Sequence, residues 1–329
     1  RRVEKYPLVL MLEPLFRCNL ACSGCGKIDY PDEILNKRLS YQECMDAVEE
    51  CGAPIVSIAG GEPLIHRDMP EIVRGFIRRK KFVYLCTNAL LLEKRMQDYS
   101  PSPYLTFSIH LDGNRERHDA SVCLEGVFDK CIEVIRKARA RGFRVTLNCT
   151  LFQGESAAEV ADFMNMAMTL GVEGVTISPG YSYERAPRQD VFLIKQESKQ
   201  LFRDIFRLGR GRKWRFNQSS LYLDFLAGNQ SYACTPWGNP TRTVFGAAPS
   251  IDSTAAWSPK LPTNCTSMPC AASPAAARVQ CNKRFMLAPC RRIAHFNLQS
   301  VQPCAARTTV HFSKRTISLF HEVFRVSRQ

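Results

Sequence analysis

The chain has 329 residues, 45% hydrophobic and 23% charged, ordinary proportions for a globular protein with room for one large α/β domain or two smaller ones. No run of about 18 apolar residues occurs, so no transmembrane helix is expected. The net charge of +14 is uneven: residues 1–246 hold 34 basic and 29 acidic residues, and residues 247–329 hold 11 and 2, so the excess says little of a nucleic-acid partner for the rest.

The opening, RRVEKYPLVLMLEP, has a short apolar run that ends at Glu13, no signal-peptide cleavage pattern and no initiator Met; its start is read as trimmed or incomplete. With no export signal, 15 cysteines suggest metal or cluster binding in the cytoplasm rather than a disulfide framework.

Six β-type runs follow one another: PLVLMLEP (7–14), PIVSIAGG (54–61), FVYLCTN (82–88), YLTFSIHLD (104–112), FRVTLNCTLF (143–152) and VEGVTISP (172–179). Helical patterns lie between them. SYQECMDAVEECG opens with Ser40 three residues before Glu43, a capping-box pattern, and closes at Gly52. EGVFDKCIEVIRKARARG carries Val127, Cys131, Val134, Ile135 and Ala138 at helical spacing and ends at Gly142, and ESAAEVADFMNMAMTLG stops in the same way at Gly171. Strand and helix in repeated alternation predict a parallel sheet, as an open doubly wound sheet or a barrel.

Two strands alternate in polarity. Thr106, Ser108, His110 and Asp112 oppose Leu105, Phe107, Ile109 and Leu111, and Thr146, Asn148 and Thr150 oppose Val145, Leu147 and Cys149. Buried parallel strands are usually apolar on both faces, so a polar face predicts a lumen or cleft; a wet edge strand is the alternative. Beyond Gly246 no strand or helix period is visible. Residues 247–329 are set apart from a core of 1–246 as an atypical basic tail, read as disordered or frame-shifted in preference to a second metal domain.

Cys18, Cys22 and Cys25 form C-x3-C-x2-C directly after the first strand. The same spacing fits a helical core stripe, but Asn19, Ser23, Gly24 and Gly26 disfavour a helix there. Zinc wants four ligands, with His66, His110 or His118 as candidates for the fourth, and no Cys or His stands at zinc-finger spacing. A [4Fe–4S] cluster on three thiolates keeps one iron open for a small molecule.

The motif resembles the cluster motif of the radical S-adenosylmethionine (SAM) superfamily, and Gly60-Gly61-Glu62-Pro63 at the end of the second strand resembles that superfamily's GGEP motif. The glycines are read as exposing backbone to a ligand, and Glu62 as a partner for the ammonium of bound SAM. The residue before the third Cys is often aromatic in the superfamily; here it is Gly24, which bears on adenine packing. The resemblance implies a partial (β/α)6 barrel of the TIM type, a [4Fe–4S] cluster, SAM, and a site at the C-terminal strand ends. It also implies that Ser108, His110 and Asp112 face SAM or substrate, that Asn148 reaches the ribose, and that TISPGY (176–181) meets the adenine.

A longer resemblance runs from about Tyr6 to Gly246, through segments such as YPLVLMLEPLFRCNLACSGCGKIDYP, KKFVYLCTNALLLEK and SSLYLDFLAGNQSYACTPWGNPTRTVFG, to the hopanoid-biosynthesis radical SAM proteins that form adenosylhopane. It implies addition of a 5′-deoxyadenosyl radical to the terminal alkene of diploptene, with SAM consumed as co-substrate and a flavodoxin- or ferredoxin-type reductant. Quenching the resulting carbon radical requires a hydrogen donor, and Cys86, near the end of the third strand, is the candidate; a small buried hydrophobe is its other reading. Cys149 is read as core, and Cys44, Cys51, Cys123 and Cys131 as packing.

A hydrocarbon substrate calls for an apolar chamber, for which Trp214, Phe216, Leu221, Tyr222, Phe225, Leu226, Tyr232 and Trp237 are candidates, core packing being their other reading. The basic run RLGRGRKWR (207–215) reads first as a solvated loop and second as a peripheral contact with the inner face of a membrane. A metal-binding module without SAM and a peptide- or small-molecule-modifying radical SAM enzyme stand as alternatives.

Overall fold

The computed structural model describes residues 7–182 and 185–230 and the backbone of Arg278–Cys281. Six parallel strands run side by side in sequence order: β1 (Val9–Glu13), β2 (Ile55–Ile58), β3 (Phe82–Thr87), β4 (Leu105–His110), β5 (Arg144–Leu151) and β6 (Val175–Pro179). They form a curled half-barrel, the partial barrel that was expected. Of residues 247–329 only β7 (Arg278–Cys281) is described, antiparallel to β1; the rest of the expected tail lies outside the described residues.

The connecting helices are α1 (Asp32–Leu35), α2 (Tyr41–Cys51), α3 (Met69–Arg78), α4 (Leu92–Arg95), α5 (Arg115–Val122), α6 (Val127–Ala140) and α7 (Ala157–Thr169), and β6 is followed by α8 (Lys195–Leu208) and α9 (Ser220–Leu226). Local chemistry sets several ends. Ser40 and Glu43 close a reciprocal capping box on α2, and Gly52 ends it at φ 71°. Ser156 and Glu159 do the same for α7. Each such cap contributes about 1 kcal/mol. In α6 the buried residues are Val127, Cys131, Val134, Ile135 and Ala138, the expected stripe.

One side of the sheet is apolar. Leu10, Leu12, Val56, Ile58, Val83, Leu85, Phe107, Ile109, Val145, Leu147, Val175 and Ile177 join the helix stripes in a single core. The other side is the lumen. Ser57, Tyr84, Thr106 and Arg144 stand level across four strands. One layer higher are Cys86, Ser108 and Thr146, then His110, Asn148 and Thr176. Strand β4 has a neighbour on each side and buries Thr106 and Ser108, so the polar face is interior and the wet-edge alternative is set aside. Arg144 closes the floor through a bidentate pair with Glu173 at 2.8 and 2.7 Å.

Candidate active site

The thiol loop leaves β1 without becoming a helix, and its residues from Leu15 to Arg17 lie against the Gly60–Pro63 turn. The N–H of Gly61 donates to Leu15 O at 3.0 Å and that of Glu62 to Arg17 O at 2.9 Å. A Cβ on Gly60 would stand 2.3 Å from Leu15 O, and one on Gly61 would stand 2.1 Å from Arg17 O. On the side an added Cβ would take, the backbone that approaches these glycines is the thiol loop itself.

Glu62 is buried, with 1% of its surface exposed. Its carboxylate accepts from Leu64 N–H at 3.0 Å, Thr87 Oγ1 at 2.9 Å and Asn88 N–H at 2.9 Å. Burial outweighs these hydrogen bonds and raises its carboxyl to about 7. Asn88 extends the link: its Nδ2 donates to Asn19 Oδ1 at 2.8 Å and lies 3.9 Å from Cys18 Sγ. The sequence carried no sign of this bridge.

Cys18, Cys22 and Cys25 are half-buried and free. Burial, then neighbouring charge that includes Cys25, pushes the Cys18 thiol up to about 11, and Cys22 rises for the same reasons. Thiols so placed are protonated until a metal's own charge takes the proton's place. Among the described residues no three His, Cys, Asp or Glu side chains converge on one point, as a mononuclear metal needs. The histidines offered for zinc are engaged elsewhere. His66 Nε2 meets Leu39 O at 2.8 Å and its Nδ1 accepts from Asp68 N–H. His118 Nδ1 accepts from Asp112 N–H, and its Nε2 faces Cys131. A [4Fe–4S] cluster takes one thiolate per iron, so three half-buried thiols along one loop suit three of its irons.

Gly24 meets Phe152, whose ring would touch an added Cβ at 3.0 Å. An aromatic from the end of β5 thus occupies the space that an aromatic before Cys25 would claim.

The residues expected on β4 and β5 separate into two groups. Asp112 is turned inward: its oxygens accept from Thr150 N–H at 2.7 Å and Ser121 Oγ at 3.0 Å, and meet His110 Nε2 at 2.6 Å. Burial pushes the Asp112 carboxyl up, but the His110 contact outweighs it and leaves it below the usual range; the same contact holds His110 above its own. Ser108, His110 and Asn148 stay on the inner face, and the Asn148 side chain makes no hydrogen bond among the described residues. Cys86 lies beside them, its Sγ 3.5 Å from Ser57 Oγ. Burial raises the Cys86 thiol despite hydrogen bonds from Ser57 and Ser108, which keeps it an S–H at neutral pH. Cys149, Cys44, Cys51 and Cys131 are buried. Cys123 corrects its packing assignment: it is exposed and ends α5 at φ 57°.

Most of the described members of the set after β6 pack in or against the core. Trp214 Nε1 bonds Asn165 Oδ1 at 2.9 Å, Phe216 packs edge-on against Phe206 with centroids 5.8 Å apart, and Tyr222 and Leu226 are buried. Leu221 is exposed, and Tyr232 and Trp237 lie outside the described residues. The basic run 207–215 ends where Val175 N–H donates to Arg215 O at 2.9 Å, at the start of β6 and therefore at the rim opposite the thiol loop. No helix among the described residues is long and apolar enough to cross a membrane.

Residues 12–167 match the family described as Radical SAM superfamily, and residues 175–250 match a domain of unknown function, DUF3463. Among curated proteins, the GTP 3',8-cyclase of Clostridium perfringens (strain SM101) is 24% identical over 218 residues, 63% of this chain and 66% of the relative. That of Listeria monocytogenes serovar 1/2a is 30% identical over 155 residues, 45% of this chain and 46% of the relative. The chain thus spans from about half to just under two thirds of these relatives. Streptococcus suis SuiB shares the fold with a TM-score of 0.58 at 15% identity, over 70% of this chain and 54% of SuiB. SuiB bound to S-adenosylmethionine aligns with a TM-score of 0.56 at 16% identity, over 69% of this chain and 54% of SuiB. Over residues 12–167 this chain carries a domain of the radical SAM superfamily, whose cofactors are a [4Fe–4S] cluster and S-adenosylmethionine.

Proposed function

We propose that this radical SAM enzyme adds the 5′-deoxyadenosyl group to the terminal alkene of diploptene, forming adenosylhopane. Cys18, Cys22 and Cys25 would hold the cluster, and the Gly60–Pro63 turn with Glu62 would hold the methionine end of SAM. Bound together, the two cofactors supply the adenosyl group as a carbon radical.

The observation that carries the reading is Cys86, the one thiol on an inner-face strand position among the described residues. Addition to an alkene leaves a tertiary carbon radical on the substrate. Cys86 gives it a hydrogen atom: the S–H bond breaks and a stronger C–H bond forms. The thiyl left behind returns to thiol with one electron from the flavodoxin- or ferredoxin-class reductant and one proton. Ser57 and Ser108 orient the thiol. The raised thiol matters here, because a thiolate has no hydrogen atom to give.

The curated relatives suggest GTP as the other substrate class. GTP carries a triphosphate, and the one Lys or Arg on an inner-face position of strands β1 to β6, Arg144, lies at the floor in its pair with Glu173. That disposition favours an uncharged substrate. A hydrocarbon resides in the bilayer, so the reading includes a peripheral contact at the inner face of the membrane. The mouth at the strand C-terminal ends, rather than the 207–215 rim, would make it.

The test is anaerobic reconstitution of the full chain with iron and sulfide, followed by assay for 5′-deoxyadenosine with diploptene, GTP or peptide supplied. Adenosylhopane is the expected product. Turnover of GTP or peptide with diploptene untouched overturns the substrate, and a colourless, zinc-loaded protein overturns the cluster.

A further inference from the structure

Lys27 follows the last thiol by two residues and begins the short turn Lys27–Asp29. Its side chain is only 5% exposed, and its Nζ is paired with Glu13 Oε1, on a side chain 3% exposed. The same Nζ donates to Gly60 O at 3.2 Å and stands 5.5 Å from the centroid of the Phe16 ring. One ammonium therefore joins the end of β1, the Gly60–Pro63 turn and the thiol loop. Glu13 Oε2 is buried with no hydrogen-bond partner among the described residues, and Lys27 is the cation that the described side chains bring to this carboxylate.

Such a pair is a poor source of stability. Desolvating two charges cancels most of their attraction, and apolar residues of the same volume often do as well or better. Its place in the fold gives it another use. We propose that Lys27 and Glu13 form a fixed charge pair that positions the thiol loop and sets the reduction potential of the cluster on Cys18, Cys22 and Cys25, the cation raising it and the anion lowering it. The inference rests on the cluster reading above.

Cluster potentials follow nearby charge, hydrogen bonding and exposure, and charges act strongly on one another where water is excluded. One electron from a flavodoxin- or ferredoxin-class donor adds negative charge to a cluster whose last thiol, Cys25, stands two residues before Lys27. A cation left alone favours that electron, and an anion left alone opposes it. Glu62 stands at the same turn, so the comparison is made at one fixed pH to hold its ionisation constant.

Full chains carrying Lys27→Met, Glu13→Gln, both changes together, or Lys27→Arg are reconstituted anaerobically, and the midpoint potential is read by redox titration with electron paramagnetic resonance. Lys27→Met is expected to lower the midpoint and Glu13→Gln to raise it. The double variant should fall between the two, and Lys27→Arg near the unaltered chain. Coincident midpoints, or two single variants shifting in the same direction, overturn the proposal, because a merely structural role changes cluster yield and not its potential. Where Lys27→Met takes up no cluster, Glu13→Gln against Lys27→Arg decides: a rise in the first alone supports the proposal, and no rise overturns it. An unaltered chain that takes up no cluster overturns the cluster reading itself, whereas loaded chains with equal midpoints overturn this inference alone.

Discussion

Asn88 Nδ2 lies 2.8 Å from Asn19 Oδ1, so the end of β3 is tied directly to the thiol loop. The backbone of Asn88 is fixed in turn by Glu62. Strand three, the Gly60–Pro63 turn and the thiols are thus one hydrogen-bonded assembly.

Removing the side-chain tether tests that assembly. Asn88→Ala is expected to keep the backbone bond to Glu62, to lower stability by about 1–2 kcal/mol, and to reduce iron and sulfide uptake. Iron content after anaerobic reconstitution is the measurement, with circular dichroism to show that the fold persists. Uptake equal to that of the unaltered chain would show that Asn88 does not organise the loop.

Gly61→Ala inserts a methyl group 2.1 Å from Arg17 O and 2.3 Å from Phe16 O. Both neighbours are backbone, so neither can swing aside. The expected loss is about 1–3 kcal/mol or more, as for overpacked interiors, together with loss of cluster binding. Chemical denaturation gives the first quantity and iron content the second; a variant as stable and as well loaded as the parent contradicts the close approach.

Glu62 makes stability depend on pH in a definite direction. The fold raises its carboxyl from the ordinary 4.5 to about 7, chiefly by burial. A raised acid favours the fold while protonated. Its contribution is therefore complete below about pH 4.5 and is lost as pH rises through about 7, on the order of 3 kcal/mol in all. Denaturation midpoints of the unaltered chain and Glu62→Gln, each at about pH 5 and pH 8, should converge in the acid and separate in the base, with the unaltered chain losing more. Parallel pH profiles would remove Glu62 as the source.

Cys86→Ala and Cys86→Ser both remove the transferable hydrogen atom, and Ser keeps a hydrogen-bonding group beside Ser57. Release of 5′-deoxyadenosine is expected to persist in both variants while adenosylated product falls by about tenfold or more, a barrier change of at least about 1.4 kcal/mol. Unchanged product yield would end the donor role.

Much of the frame was written locally. The Ser40–Glu43 box, the Gly52 stop and the α6 stripe depend on residues within a turn or two of one another, so spacing alone placed them. The inner and outer faces of β4 and β5 followed from strand alternation, which is a property of the pleat. Cys18, Cys22 and Cys25 were legible because three soft ligands in a glycine-bearing loop have few other uses.

What spacing could not give were meetings between distant segments. Trp214 and Phe216 are pocket candidates by type, with core the commoner fate of such a stripe, and the contacts with Asn165 and Phe206 pack them. Cys123 looked like packing until the chain turned it outward.

The sequence by itself determined the strand–helix alternation, the lumen face and the three thiols, because each is a repeat or cluster read over a few residues. Only the tertiary structure decided that Gly60 and Gly61 make room for the thiol loop, that Glu62 holds the end of β3, and that Lys27 finds Glu13. Those contacts join residues far apart in the chain, and burial, which the fold alone creates, is what gives their charges and hydrogen bonds their strength.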